Sequence, residues 1–123
     1  MRIAVDFDGT IVEDRYPAIG AEKPLAVRVL KKLAAEGDDI ILWTVRTGEF
    51  LQDAVEWCEK HGITLYAVNS NHHKCINHQN GFSGARKIRA DIYIDDKNVG
   101  GFPGWFVVYF KIARIKRHLG MDK

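Results

Sequence analysis

Cysteine and proline are scarce in this chain of 123 residues, with two of the first and three of the second. Cys58 and Cys75 follow no zinc-ribbon or redox spacing, and two thiols build no disulfide framework. Apolar runs are short. None approaches the ~20 residues that cross a bilayer, so no helical membrane span and no membrane partner are expected. Nor does one sign of charge dominate: 18 basic residues against 16 acidic ones leave a net charge of +2, weak grounds for a polyanionic partner. Met1-Arg2-Ile3 leads straight into strand-forming residues, so no signal peptide is read. A cytoplasmic protein with reduced thiols is the expectation.

What is present is the composition of a folded domain. Hydrophobic residues make up 46% and charged residues 28%, enough for one core and against disorder. No repeat or linker divides the chain, so residues 1–123 read as one domain.

Four apolar runs read as strands: residues 2–6, Ile40 to Thr44, Thr64 to Val68, and the "DIYID" of Asp91 to Asp95. Between the first two, a loop or small flap over residues 11–22 precedes a helix from about Pro24. Leu25, Val29, Leu30, Leu33 and Ala34 recur there at helical spacing, and Gly37 stops it. Thr47 is placed to cap a second helix running to about His61, with Leu51, Ala54, Val55 and Cys58 inward. Residues 69–84 read as an exposed loop and residues 85–89 as one helical turn. The stretch from Pro103 to Leu119 is read as a helix with Val108, Ile112, Ile115 and Leu119 on the core. Its basic residues, Lys111, Arg114, Lys116, Arg117 and His118, are read as a solvated face. Strands alternating with helices argue for an α/β fold, a three-layer Rossmann-like parallel sheet flanked by helices on both faces.

In such sheets the ligand lies beyond the carboxyl ends of the strands. Asp6, Asp8, Thr44, Asp95 and Asp96 all fall there. Asp6 and Asp8 stand two apart, on one side of an extended segment, where like charges need a cation or a task. Each has a bland alternative. Asp-Gly is a common turn, a strand-end Asp pair is often solvated, and a lone Thr or Lys says little. Convergence at one edge carries the argument. Several carboxylates on a concave edge suit a hard divalent cation such as Mg²⁺. With a hydroxyl and a lysine nearby, the inventory fits phosphoryl transfer through a carboxylate nucleophile and a second carboxylate as acid and base.

"DFDGT", residues 6–10, resembles the first motif of the haloacid dehalogenase superfamily of phosphohydrolases. "ILWT" ending at Thr44 resembles the second motif, and "RKIRADIYIDDKN", residues 86–98, the third and fourth together. The resemblance implies a Mg²⁺-dependent phosphatase with Asp6 as nucleophile and Asp8 as general acid/base. It implies a cation held by Asp6, the Asp8 carbonyl and Asp95, with Asp96 close by. Thr44 would donate to a phosphoryl oxygen and Lys87 would neutralise charge, with Lys74, Arg86 and Arg89 as competitors for that role. Gly9 and Thr10, through backbone N–H groups, and Val45 and Arg46 beside Thr44 would line the phosphoryl site.

The gaps after the first motif and before Lys87 are too short for a cap domain, so the resemblance implies a capless member. Open sites of that kind serve large phosphoesters or borrow a lid within a homo-oligomer, and the substrate class stays open, nucleic acid included. His72, His73, Cys75 and His78 allow a zinc reading against the blander one of a polar rim. Two non-enzymatic alternatives stand beside the phosphatase. One is a receiver-like regulatory module that keeps its phosphoaspartate, and the other is a silent Mg²⁺-binding scaffold.

Overall fold

The computed structural model describes residues 1–78 and 88–120. Four parallel strands form the sheet: β1 (Arg2–Val5), β4 (Asp39–Leu42), β5 (Ala67–Val68) and β6 (Ile92–Ile94), in the order β5-β4-β1-β6. An antiparallel hairpin, β2 (Val12–Arg15) and β3 (Ala18–Glu22), is the flap expected after the first strand. The helices are α1 (Ala26–Ala35), α2 (Gly48–Lys60) and α3 (Trp105–His118).

The order follows from chain direction. From β1 the chain steps outward to β4 and then β5, and right-handed crossovers place α1 and α2 on one face. It then returns to the other side of β1 to lay down β6. The reversal opens the switch point between the carboxyl ends of β1 and β6.

Strand alternation sorts the core. Ile3, Val5, Ile40, Leu42, Val68 and Ile94 point to the helical face, where Leu30 and Leu33 of α1, Ala54, Val55 and Cys58 of α2 and Trp105, Val108 and Ile112 of α3 join them. The opposite face holds a smaller cluster, Ile41, Ala67 and Ile88 with Trp43 and Tyr66. The expected α/β fold is present as a four-stranded parallel sheet flanked by helices. Among the described residues all helices join one face, and the other receives irregular chain from the β5–β6 connection.

Several boundaries moved. α1 begins at Ala26, because Leu25 sits in the left-handed region with φ 68° and is exposed, while Ala26 is fully buried. The Glu22 carboxylate accepts from the Val27 N–H at 3.1 Å and caps the helix. Thr47 occupies the N-cap position of α2 without a side-chain bond. Its side chain is exposed. The third strand shrinks to Ala67–Val68, which pairs with β4 on one side and takes an isolated bridge from Ile76 on the other. The helical turn expected at 85–89 lies partly outside the described residues, and Ile88 and Arg89 are irregular.

The terminal segment is a helix as expected, but its inner face is Trp105, Val108 and Ile112. Ile115 and Leu119 are exposed. Length explains this: a helix of 14 residues spans ~21 Å, while a strand of 4 covers only ~13 Å. α3 therefore overruns the sheet. Lys116 is not on the solvated face. It reaches back to Asp38, which also accepts from the Met1 amino group at 2.9 Å, and to Glu36 at 3.6 Å. No described helix is long and apolar enough to cross a membrane.

Candidate active site

β1 delivers Asp6 beside β6, and the Asp6 N–H donates to the Ile94 carbonyl at 2.9 Å. That bond registers the two strand ends. Asp95 and Asp96 follow β6 directly. Asp6, Asp95 and Asp96 each offer one carboxylate oxygen, and these lie within 4.8 Å of one another. The site therefore sits at the switch point, and two adjacent strands build it.

Three carboxylates at that distance repel. Burial pushes the Asp6 carboxyl up from its usual 3.8 to about 8, with the charges of Asp95 and then Asp96 adding to the rise and the Phe7 backbone N–H opposing it. One Asp96 oxygen, Oδ1, is buried without a hydrogen-bond partner. Such an atom costs free energy unless something accepts its lone pairs. An oxygen-only cluster whose crowded carboxylates raise the Asp6 pKa, with an orphaned acceptor beside it, fits a hard divalent cation. Of the described residues, this is the one group of acidic, His and Cys side chains with metal-binding geometry. Among the described residues, His72, His73, Cys75 and His78 form no such group. Chain 74–77 instead runs along β5, bonding through Lys74 N–H to Tyr66 and Asn77 N–H to Val68 carbonyls.

The turn after Asp6 is tight. Thr10, Ile11 and Val12 N–H groups all point at the Phe7 carbonyl, at 3.2, 2.9 and 3.3 Å, and the Gly9 N–H donates to Val12 at 2.8 Å. The backbone amides of Gly9 and Thr10 already have acceptors, so they are not the free phosphate cradle that was expected. Their contributions differ. Gly9 holds φ +88°, and a Cβ there would lie 2.1 Å from Asp96 Oδ2. Its missing side chain is the space that Asp96 fills. The Thr10 hydroxyl donates to Asp6 Oδ2 at 3.3 Å, and the Thr10 carbonyl accepts the Trp105 indole N–H at 2.8 Å.

Asp8 does not share a side with Asp6. Period-2 alternation ends with β1 at Val5, and the turn swings the Asp8 carboxylate to Arg46, which donates to it through Nε and Nη2, both at 2.7 Å. That bond raises the Arg46 pKa further, burial opposing. Arg46, expected to face substrate, is fully buried, whereas Val45 is 66% exposed. Lys87 and Arg86 lie outside the described residues.

Thr44 is buried at the end of β4, where its Oγ1 accepts the Arg46 N–H at 3.1 Å. Its placement depends on Asn69, which sequence reasoning missed. Asn69 Oδ1 accepts the Thr44 N–H at 2.9 Å and Asn69 Nδ2 donates to the Thr44 carbonyl at 3.0 Å. The signal was available: an Asn directly after a strand tolerates the left-handed backbone, here φ 50°. Asn69→Ala is expected to cost about 3 kcal/mol in a urea melt, from two buried hydrogen bonds and the left-handed conformation. A loss under about 1 kcal/mol would show that Thr44 does not need this support. Cys58, also near α2's core face, is held at about 12 by burial and supplies no nucleophile.

Among solved structures, a conserved protein from Bacteroides thetaiotaomicron aligns over 94% of this chain and 92% of its own, at 52% identity and a TM-score of 0.83. The chain belongs to that protein's family. No family model and no curated protein matches the chain.

Proposed function

We propose that this protein is a Mg²⁺-dependent phosphatase of the haloacid dehalogenase type, hydrolysing a phosphate monoester through an aspartyl phosphate on Asp6. The observation that carries the reading is the cluster of Asp6, Asp95 and Asp96 at the switch point, where Asp96 Oδ1 is buried and unpartnered. The ordered motifs from "DFDGT" to "IYIDD" support it.

In this reading an Asp6 oxygen forms a bond to phosphorus as the bond to the leaving oxygen breaks. The Asp8 carboxyl, one oxygen held by Arg46 and the other protonated in place of the second Arg46 bond, gives that proton to the leaving oxygen. Water then attacks the phosphoryl group, its proton passes to Asp8, inorganic phosphate departs and the Asp6 carboxylate is restored. Thr44, fixed by Asn69, offers its hydroxyl hydrogen to a phosphoryl oxygen. The Thr10 hydroxyl orients Asp6. Asp6, Asp95 and Asp96, with the Asp8 carbonyl, would hold Mg²⁺, whose charge favours the ionised Asp6 and offsets charge on the phosphoryl group. Asp6 otherwise keeps its proton at neutral pH, since its carboxyl sits at about 8.

Hydrolysis of p-nitrophenyl phosphate with Mg²⁺, and with a chelator, tests the proposal. Turnover is expected with the metal and a loss of at least ~100-fold without it. Equal rates in both conditions, or no turnover in either across a panel of phosphomonoesters, would overturn it.

A further inference from the structure

Arg46 has five N–H donors, and all five have protein acceptors. Nε and one Nη2 hydrogen go to the two Asp8 oxygens, the other Nη2 hydrogen to the Ala18 carbonyl at 2.9 Å. Nη1 donates to the Pro17 carbonyl at 3.1 Å and the Phe50 carbonyl at 3.2 Å. The guanidinium also lies over the Phe7 ring at 5.3 Å and the Tyr16 ring at 5.1 Å. No donor is left for a phosphate. Instead one buried cation joins three parts of the chain: the turn carrying Asp8, the tip of the β2–β3 hairpin and the first turn of α2.

The bonds to the hairpin go to backbone carbonyls, so they report where the hairpin is and not which side chain it carries. The bonds to Asp8 are paired and planar, the geometry in which an Arg fixes both the position and the rotation of a carboxylate. Moving either partner breaks the set. A buried charge that loses its partners is costly, so the two ends move together.

We propose that Arg46 is a positioning residue that couples the hairpin flap to the proton donor Asp8, so that the flap's position sets where the Asp8 carboxyl points. The inference rests on the phosphatase reading for its consequence in turnover. The coupling itself is independent of that reading.

Two measurements separate the two. Amide hydrogen exchange needs no turnover, and wild type, Asp8→Asn and Arg46→Lys are compared in chelator. Residues 12–22 are expected to exchange at least ~10-fold faster in both variants, with β1 and β4 unchanged. Hairpin exchange as in wild type in Asp8→Asn overturns the coupling, even if Arg46→Lys fails to fold. Turnover is then compared on an alkyl phosphate, whose leaving oxygen needs a proton, and on p-nitrophenyl phosphate, whose leaving group does not. Arg46→Lys is expected to lower kcat on the alkyl ester by ~100-fold with KM unchanged, and on the aryl ester by a few fold at most. In the Asp8→Asn background, Arg46→Lys is expected to add no further loss. Equal losses on both esters, or a KM rise alone, overturn the positioning role and make Arg46 a phosphate ligand. A wild type without turnover overturns the phosphatase reading and leaves the exchange result to decide the coupling.

Discussion

Asp6→Asn is expected to abolish phosphate ester hydrolysis, by at least ~1,000-fold in kcat, while leaving the fold intact. The carboxylate is the proposed nucleophile, and Asn has no oxygen able to form the acyl phosphate. The same substitution carries a second expectation that does not depend on turnover. In the native protein the Asp6 carboxyl is raised from 3.8 to about 8, burial first and then Asp95 and Asp96 being the cause. A carboxyl raised by folding stabilises the folded state while protonated. That contribution is complete below pH ~4 and disappears as pH climbs through ~8, at about 1.4 kcal/mol per unit. In chelator, wild type should therefore lose a few kcal/mol between pH 5 and pH 9. Asp6→Asn should lose much less over that range and melt above wild type at pH 9. Added Mg²⁺ should restore wild type at alkaline pH, since binding the cation expels the proton. Thermal melts across pH check this. A wild-type curve with no alkaline decline would mean that Asp6 is ionised without help from a cation. Retained turnover in Asp6→Asn would remove the covalent mechanism.

Gly9→Ala is expected to injure the site far more than the fold. A Cβ at Gly9 would stand 2.1 Å from Asp96 Oδ2 and 2.8 Å from its Cγ. The Asp96 carboxylate ends a short side chain and can rotate away, so the clash is relieved by emptying one corner of the cluster. The left-handed backbone adds ~1–2 kcal/mol for a residue with a Cβ. Mg²⁺ affinity measured by calorimetry should fall at least ~10-fold, and turnover with it. The melting temperature should drop by only several degrees, as ~1–2 kcal/mol implies for a domain of this size. Unchanged Mg²⁺ affinity would show that Asp96 is not needed around the cation and that Gly9 serves only the turn.

The sequence by itself determined the order and kind of the main elements, because short apolar runs, helical spacing and glycine stops are local signals. It also placed Asp6, Asp95 and Asp96 at one edge, though it grouped Asp8 with them. Asp6, Asp95 and Asp96 close each strand at its carboxyl end, and a parallel sheet must gather such residues at one edge. Tertiary structure decided what those residues do to one another. Asp8 parted from Asp6 because the strand ended at Val5, and a turn has no fixed alternation. Arg46 became buried and tied to Asp8 across 38 residues, a pairing that no local pattern encodes. Trp105 donates to Thr10 across 95 residues, and Asn69 brackets Thr44 from the neighbouring strand, for the same reason. Ile115 and Leu119 kept helical spacing yet left the core, because periodicity names a face of a helix but not how far the sheet beneath it extends.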